Sequence, residues 1–176
     1  MVEVDYFDAA YQATTYLQRC GHTKIGFIGP DSPAAYYMST FGGYTAALKD
    51  AQLLCDPAWL FELSDGYSLE TGMDKLLESG NLPTAFLCAG DAFAIDAIRC
   101  TKAKGLRIPE DVSIIGLDDL LVSQYLDPPL TTVTFQKDLL GQKAMLLLHQ
   151  IMEGKPCEKI NLIKTSLVER STVKKI

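Results

Sequence analysis

Residues 116–133, GLDDLLVSQYLDPPLTTV, set two adjacent carboxylates, Asp118 and Asp119, directly after an apolar run and shortly before a tandem Pro128-Pro129. Such a pair can work as acid and base, clamp a ligand, or cap a helix and a turn. Adjacent residues rarely aim at one atom, and no His, Ser-His pairing or further metal-spaced ligand accompanies these two. No catalytic residue, metal or cofactor is therefore expected, and the chain is not read as an enzyme. Other candidates follow three further apolar runs: Asp31, Tyr36, Tyr37 and Thr40, then Asp65 and Tyr67, then Asp91. None of these loops holds Lys or Arg. Carboxylates accept hydroxyl protons and tyrosine faces stack on sugar CH surfaces, so this set suits a neutral polyol and suits a phosphate poorly. A phosphate-accepting receiver domain also has an acidic rim, but the Lys that would answer the phosphoryl charge after the last strand is missing. Each candidate also has a structural use. Asp91 and Asp119 can cap the helices that follow them, and the tyrosines can be ordinary loop or packing residues. Asp118 is the stronger ligand candidate because a following Asp already supplies a cap.

Positioning these loops falls to an alternation of apolar and amphipathic runs. DYFDAAYQATTYLQRCG reads as a helix with Asp8 as cap and Gly21 as stop, and HTKIGFIGP as a strand buried on both faces. STFGGYTAALKDAQ, SLETGMDKLLESG and DAFAIDAIRCTKAKG read as helices, the last capped by Asp91. WLFELS, PTAFLCAG and DVSIIGLDD read as strands. Strands separated by such helices predict an α/β fold, a parallel sheet with helices on both faces, with ligands outside the carboxyl ends of the strands. After Asp127 the prolines fix an extended turn. TTVTF and KINLIKTSLVER then read as strands around a helix with a stripe of Leu140, Ala144, Leu147, Leu148 and Ile151. His22 and His149 fall away from the rim.

With 176 residues the chain can form one domain that buries roughly 70% of its unfolded surface. A net charge of −6 argues against a broad nucleic-acid footprint. Five scattered cysteines without CxxC spacing read as reduced thiols in a cytoplasmic protein. No apolar run approaches the roughly 18 residues of a membrane helix, and no targeting segment is expected.

GHTKIGFIGP, GGYTAAL, the long run PTAFLCAGDAFAIDAIRCTKAKGLRIPEDVSIIGLDDL, DPPLTTV, QKDLLGQKAMLLL and SLVERST together resemble the effector domain of lac and galactose repressor type transcription regulators. The resemblance covers nearly the whole chain and is most specific from Pro83 to Val133. It implies the C-terminal lobe of a type I periplasmic-binding-protein-like domain, in a fragment lacking most of the N-terminal lobe. Residues 5–127 would form that lobe, 128–166 a crossover with the last helix and strand of the missing lobe, and 167–176 a returning tail. It further implies a small sugar-like effector, a homodimer through this lobe, and DNA contact only through a helix-turn-helix outside this chain. The candidate dimer surface would join Leu69, Met73, Phe93, Ile95, Leu121 and Tyr125, apolar positions that fit a buried core equally well. Asp118 matches the family's effector-binding Asp, and Tyr67 an aromatic that stacks on the effector. Thr40 stands where Arg is common, and Gly90 where Asn is frequent. The expected ligand-binding set is Tyr36, Thr40, Tyr67, Asp91 and Asp118, with Asp119 as cap. A sugar-binding protein of a transport system shares the fold and is the alternative.

Overall fold

Apolar runs too short for a helix become strands wherever both their faces can be covered, and that condition organises the molecule. The computed structural model describes residues 1–30, 34–63, 69–156 and 161–176. In chain order its elements are β1 (Val2–Val4), α1 (Tyr6–Arg19), β2 (Ile25–Pro30), α2 (Ala35–Asp50), β3 (Leu60–Leu63), α3 (Leu69–Ser79), β4 (Ala85–Cys88) and α4 (Asp91–Ala103). β5 (Ser113–Leu117), β6 (Thr131–Phe135), α5 (Lys137–Met152), β7 (Asn161–Ile163) and β8 (Thr165–Val168) follow, with short 3-10 turns at Pro57–Trp59 and Leu121–Tyr125.

The main sheet has the order β3-β2-β4-β5-β6-β8; its first five strands are parallel and β8 runs antiparallel beside β6. Alternate side chains go to opposite faces. Phe27, Leu87 and Ile115 pack under α1 and α2 with Ala13, Leu17 and Tyr44. Ile28, Phe86 and Ile114 pack under α3 and α4 with Met73, Leu76 and Ile98. α1 and α2 approach closely because position 43 is Gly: a Cβ there would stand 2.1 Å from the Phe7 carbonyl oxygen. α1 starts from Asp5, whose carboxylate accepts the Asp8 amide at 3.0 Å, so Asp5 and not Asp8 is the cap.

Three further expectations need correction. Strand β6 pairs with β5, so the chain stays in the main sheet through Phe135 and does not leave it at Pro128. The C-terminal strand-like run is two strands, β7 and β8, divided at Lys164. Leu69 and Met73 are core residues, not surface, whereas Leu121 and Tyr125 are each 75% exposed. Phe93 and Ile95 are half-buried.

Beyond β8 the chain crosses the amino ends of β5 and β6. The Ile114 amide donates to the Thr172 carbonyl at 2.9 Å, the Thr131 amide to Thr172 Oγ1 at 2.9 Å, and the Ile176 amide to the Cys20 carbonyl at 2.8 Å. His22 lies at this same end, buried between Thr84 Oγ1 at 2.9 Å and the Lys174 carbonyl at 3.1 Å. Desolvation holds its pKa below the usual histidine range.

β1 and β7 form a separate two-stranded parallel pair. α5 lies near this pair and buries none of its residues; Leu148 and Ile151 of its apolar stripe are more than half exposed. Core and stripe should therefore respond differently to substitution. Phe86→Ala is expected to cost about 3–5 kcal/mol in chemical denaturation. Leu148→Lys should stay within about 0.5 kcal/mol.

Candidate functional site

β5 is buried along its whole length, so the first polar side chain it can present is the one after its last residue, Asp118. The Asp118 amide is fixed to the Val133 carbonyl at 2.8 Å. Asp118 and Asp119 then take positive φ values of 99° and 47°, a region that non-glycine residues enter only where surrounding contacts hold them. This double turn carries the chain off the sheet and leaves the Asp118 carboxylate at the rim.

Tyr6, just beyond β1, donates its phenol to Asp118 Oδ1 at 3.2 Å. Its ring meets Tyr36 edge to face, with centroids 5.5 Å apart. The two tyrosines, with Glu3, Val4 and Ser39, line a cleft of about 220 Å³. Asp118 Oδ2 faces Gly90, where a Cβ would stand only 3.3 Å away, and among the described residues it receives no hydrogen bond. Burial raises the Asp118 pKa above the usual carboxylate range. The Tyr6 hydrogen bond opposes that shift, the charge of Asp91 adds to it, and Lys137 opposes it. Burial, then the Asp118 charge, raises the Tyr6 phenol strongly and the Tyr36 phenol in the same direction.

The other expected residues fall in different places. Asp91 is fully buried under the rim. It is not a helix cap, because Gly90 occupies that position without a side-chain bond. Its Oδ2 accepts Ser123 Oγ at 2.5 Å and the Leu120 amide at 2.8 Å, and its Oδ1 accepts Thr132 Oγ1 at 2.6 Å. Gly116 makes room for it: a Cβ there would stand 2.3 Å from Oδ1. Thr40 is also fully buried and spends its hydroxyl on the Tyr36 carbonyl at 2.7 Å. Tyr36, Tyr37 and Thr40 belong to α2 and not to a loop; Tyr37 is buried and bonds Glu62 at 2.8 Å. Asp31, Asp65 and Tyr67 lie outside the described residues.

Asp119 is a brace. Its Oδ1 pairs with Arg170 at 2.6 Å, its carbonyl accepts Lys137 Nζ at 2.7 Å, and the 3-10 turn that follows has Leu120, not Asp119, at its cap position. The rim therefore has two neighbouring cations after all, both from beyond the four loops searched. Tyr6 was missed for a similar reason. Its strand VEV is too short to stand out, but the same search at the carboxyl end of β1 would have found it. Among the described residues no group of three metal-ligating side chains comes together.

The rim thus sets one accepting carboxylate beside an aromatic pair, above a parallel sheet. The family of periplasmic binding protein-like domains matches residues 14–173. The chain belongs to that family. The HTH-type transcriptional repressor PurR of Haemophilus influenzae is 39% identical over 178 residues, which cover 97% of this chain and 52% of the repressor, so the chain spans about half that relative's length. A LacI-family regulatory protein from Chloroflexus aggregans superposes with a TM-score of 0.88 at 30% identity, covering 98% of this chain and 63% of that one. The regulator CelR in its cellobiose complex superposes with a TM-score of 0.86 at 29% identity, covering 97% and 53%. These relatives are regulators and not enzymes, which agrees with the resemblance to lac and galactose repressor type proteins and does not favour the transport alternative.

Because the Asp118 pKa is raised on folding, its charge costs stability above the folded pKa and costs nothing below the unfolded one. Asp118→Asn is therefore expected to raise the melting temperature at pH 7, with the gain shrinking as the pH falls toward 4. Thermal melts across that range check it.

Proposed function

We propose that this chain is the effector-sensing part of a LacI-type transcription regulator and that it holds a small, neutral, sugar-like ligand at the rim. The observation that carries this reading is Asp118: an accepting carboxylate oxygen left unbonded among the described residues, beside the Tyr6–Tyr36 pair. Asp118 accepts ligand hydroxyls, and the tyrosine faces cover the ligand's CH surfaces. Thr40 and Asp91 act from beneath, by holding Tyr36 and the turn after Asp118. The cellobiose in the CelR complex supports the chemical class but not the identity of the ligand.

In this reading residues 1–4 and 137–163 belong to a second lobe, most of it supplied by the longer protein. The exposed stripe of α5 is covered by that lobe, in keeping with the greater length of the relatives. The ligand closes the two lobes on each other and so shifts the DNA affinity of a helix-turn-helix elsewhere in that protein, by binding the two states unequally. The whole acts in the cytoplasm as a homodimer. The dimer face is the turn bearing Leu121, Val122 and Tyr125, which are 75%, 46% and 75% exposed and lie next to one another.

A thermal-shift panel of neutral sugars, with cellobiose and ribose included, tests the ligand. A sugar at 100 times its Kd should add about 2.7 kcal/mol of stability. Asp118→Ala should weaken its binding more than about tenfold, the worth of a charge-assisted hydrogen bond. An undiminished shift in that variant would remove Asp118 from the site. For the dimer, Leu121→Asp with Tyr125→Asp should give a folded monomer in sedimentation; a dimer that persists would place the interface elsewhere.

A further inference from the structure

Between the rim and the apolar turn lies one buried group that neither reading uses directly. Asp91 is buried, yet its hydrogen bonds to Leu120, Ser123 and Thr132 tie it to the segments that follow Asp118. Leu120 and Ser123 belong to the apolar turn, and Thr132 belongs to β6. The neighbouring β6 residue, Val133, holds the Asp118 amide. A closed ring of bonds therefore runs from Asp118 to β6, from β6 to Asp91, and from Asp91 to the turn. The turn returns to β6 through the Leu130 amide, which donates to the Ser123 carbonyl at 2.9 Å. Asp119, also in this ring, is tied off separately by Arg170 and Lys137.

We propose that Asp91 is a positioning residue that couples the charge state and occupancy of Asp118 to the geometry of the Leu120–Tyr125 turn. This rests on the reading of Asp118 as the ligand clamp and of the turn as the association face. The physical cause is the closeness of two carboxylates: Asp118 Oδ2 faces Gly90, the residue before the buried Asp91, and the Asp91 charge acts on Asp118. A neutral ligand whose hydroxyls donate to Asp118 disperses its charge and relieves repulsion on Asp91, which then grips Leu120 and Ser123 more firmly. The turn stiffens, and the Leu121 and Tyr125 side chains are held in one arrangement.

The test is a double-mutant cycle on the full chain with Asp118→Asn and Asp91→Asn, in which the asparagine at 118 stands in for a neutralised rim. The first readout is hydrogen exchange at the Leu120 amide, and the second is dimer dissociation by sedimentation equilibrium. Asp118→Asn alone should slow Leu120 exchange, on the order of threefold, and Asp91→Asn alone should speed it by about tenfold, as for loss of a hydrogen bond to a charged group. With Asp91→Asn in place, Asp118→Asn should change nothing further. Ser123→Ala, which keeps the carboxylate and removes one donor, should reduce the effect of Asp118→Asn, and it carries the cycle if Asp91→Asn fails to fold. A merely structural Asp91 predicts that the two effects multiply; that result, or no response of Leu120 to Asp118→Asn, overturns the proposal. A wild-type chain that sediments as a monomer overturns the dimer reading alone, since the exchange cycle is read in either state.

Discussion

Covering a parallel sheet on both faces leaves little room for polar side chains along its central strands, and the chemistry of this chain follows from that constraint. β4 and β5 are buried at every position, and β2 at every position but its last. Polar groups can then appear only where strands end. The carboxyl ends receive Asp118 and Asp91, the first at the rim and the second beneath it. The amino ends receive His22 and the C-terminal arm, which spend their polar groups on one another and on the strand termini. One end of the sheet is thus saturated with internal bonds, while the other keeps an acceptor in reserve.

That reserve has a cost. Asp118 is held in a backbone conformation that L side chains seldom adopt, with a carboxylate only partly compensated by the Tyr6 phenol. Asp91 carries a second charge in a drier place, where burial raises its pKa against three hydrogen bonds that lower it. A carboxylate under those conditions is tolerable only if all its donors are in place. Ser123, Thr132 and the Leu120 amide supply them, and a glycine at 116 leaves the space. The local sequence D-D-L-L-V-S thus combines a rim group, a brace and an anchored turn within six residues.

Periodicity made the fold legible. Apolar runs of strand length alternating with amphipathic runs are enough to imply a parallel sheet with two covered faces, and the turn residues mark most element ends. β1 was not legible, because it carries too few residues to show a period, and β7 was read only as part of one longer strand; their partnership is set by tertiary contact alone. At the site, Asp118 was legible because it follows a buried strand directly. Asp91 and Asp119 were seen as residues, but neither is the cap it was read as. Whether an Asp after a strand caps, braces or sits buried depends on partners more than ten residues away, Thr132 and Arg170 among them, which local sequence does not contain. Tyr36 and Thr40 look alike in sequence as loop residues, yet on one helix they turn to opposite environments, one half open and one closed.

The arm after β8 bears on how this chain can be made. Thr172 bridges the amino ends of β5 and β6, and Ile176 reaches back to Cys20 at the end of the first helix. On a ribosome, which delivers the N-terminal portion first, α1 through β5 can emerge and collapse early, but their lower seam cannot be sewn until the chain has been synthesised through Ile176. Until then the amides of Ile114 and Thr131 lack their native acceptors, and the nascent sheet stays open along that edge. The stitch at Thr172 and Ile176 is thus made after every strand it joins.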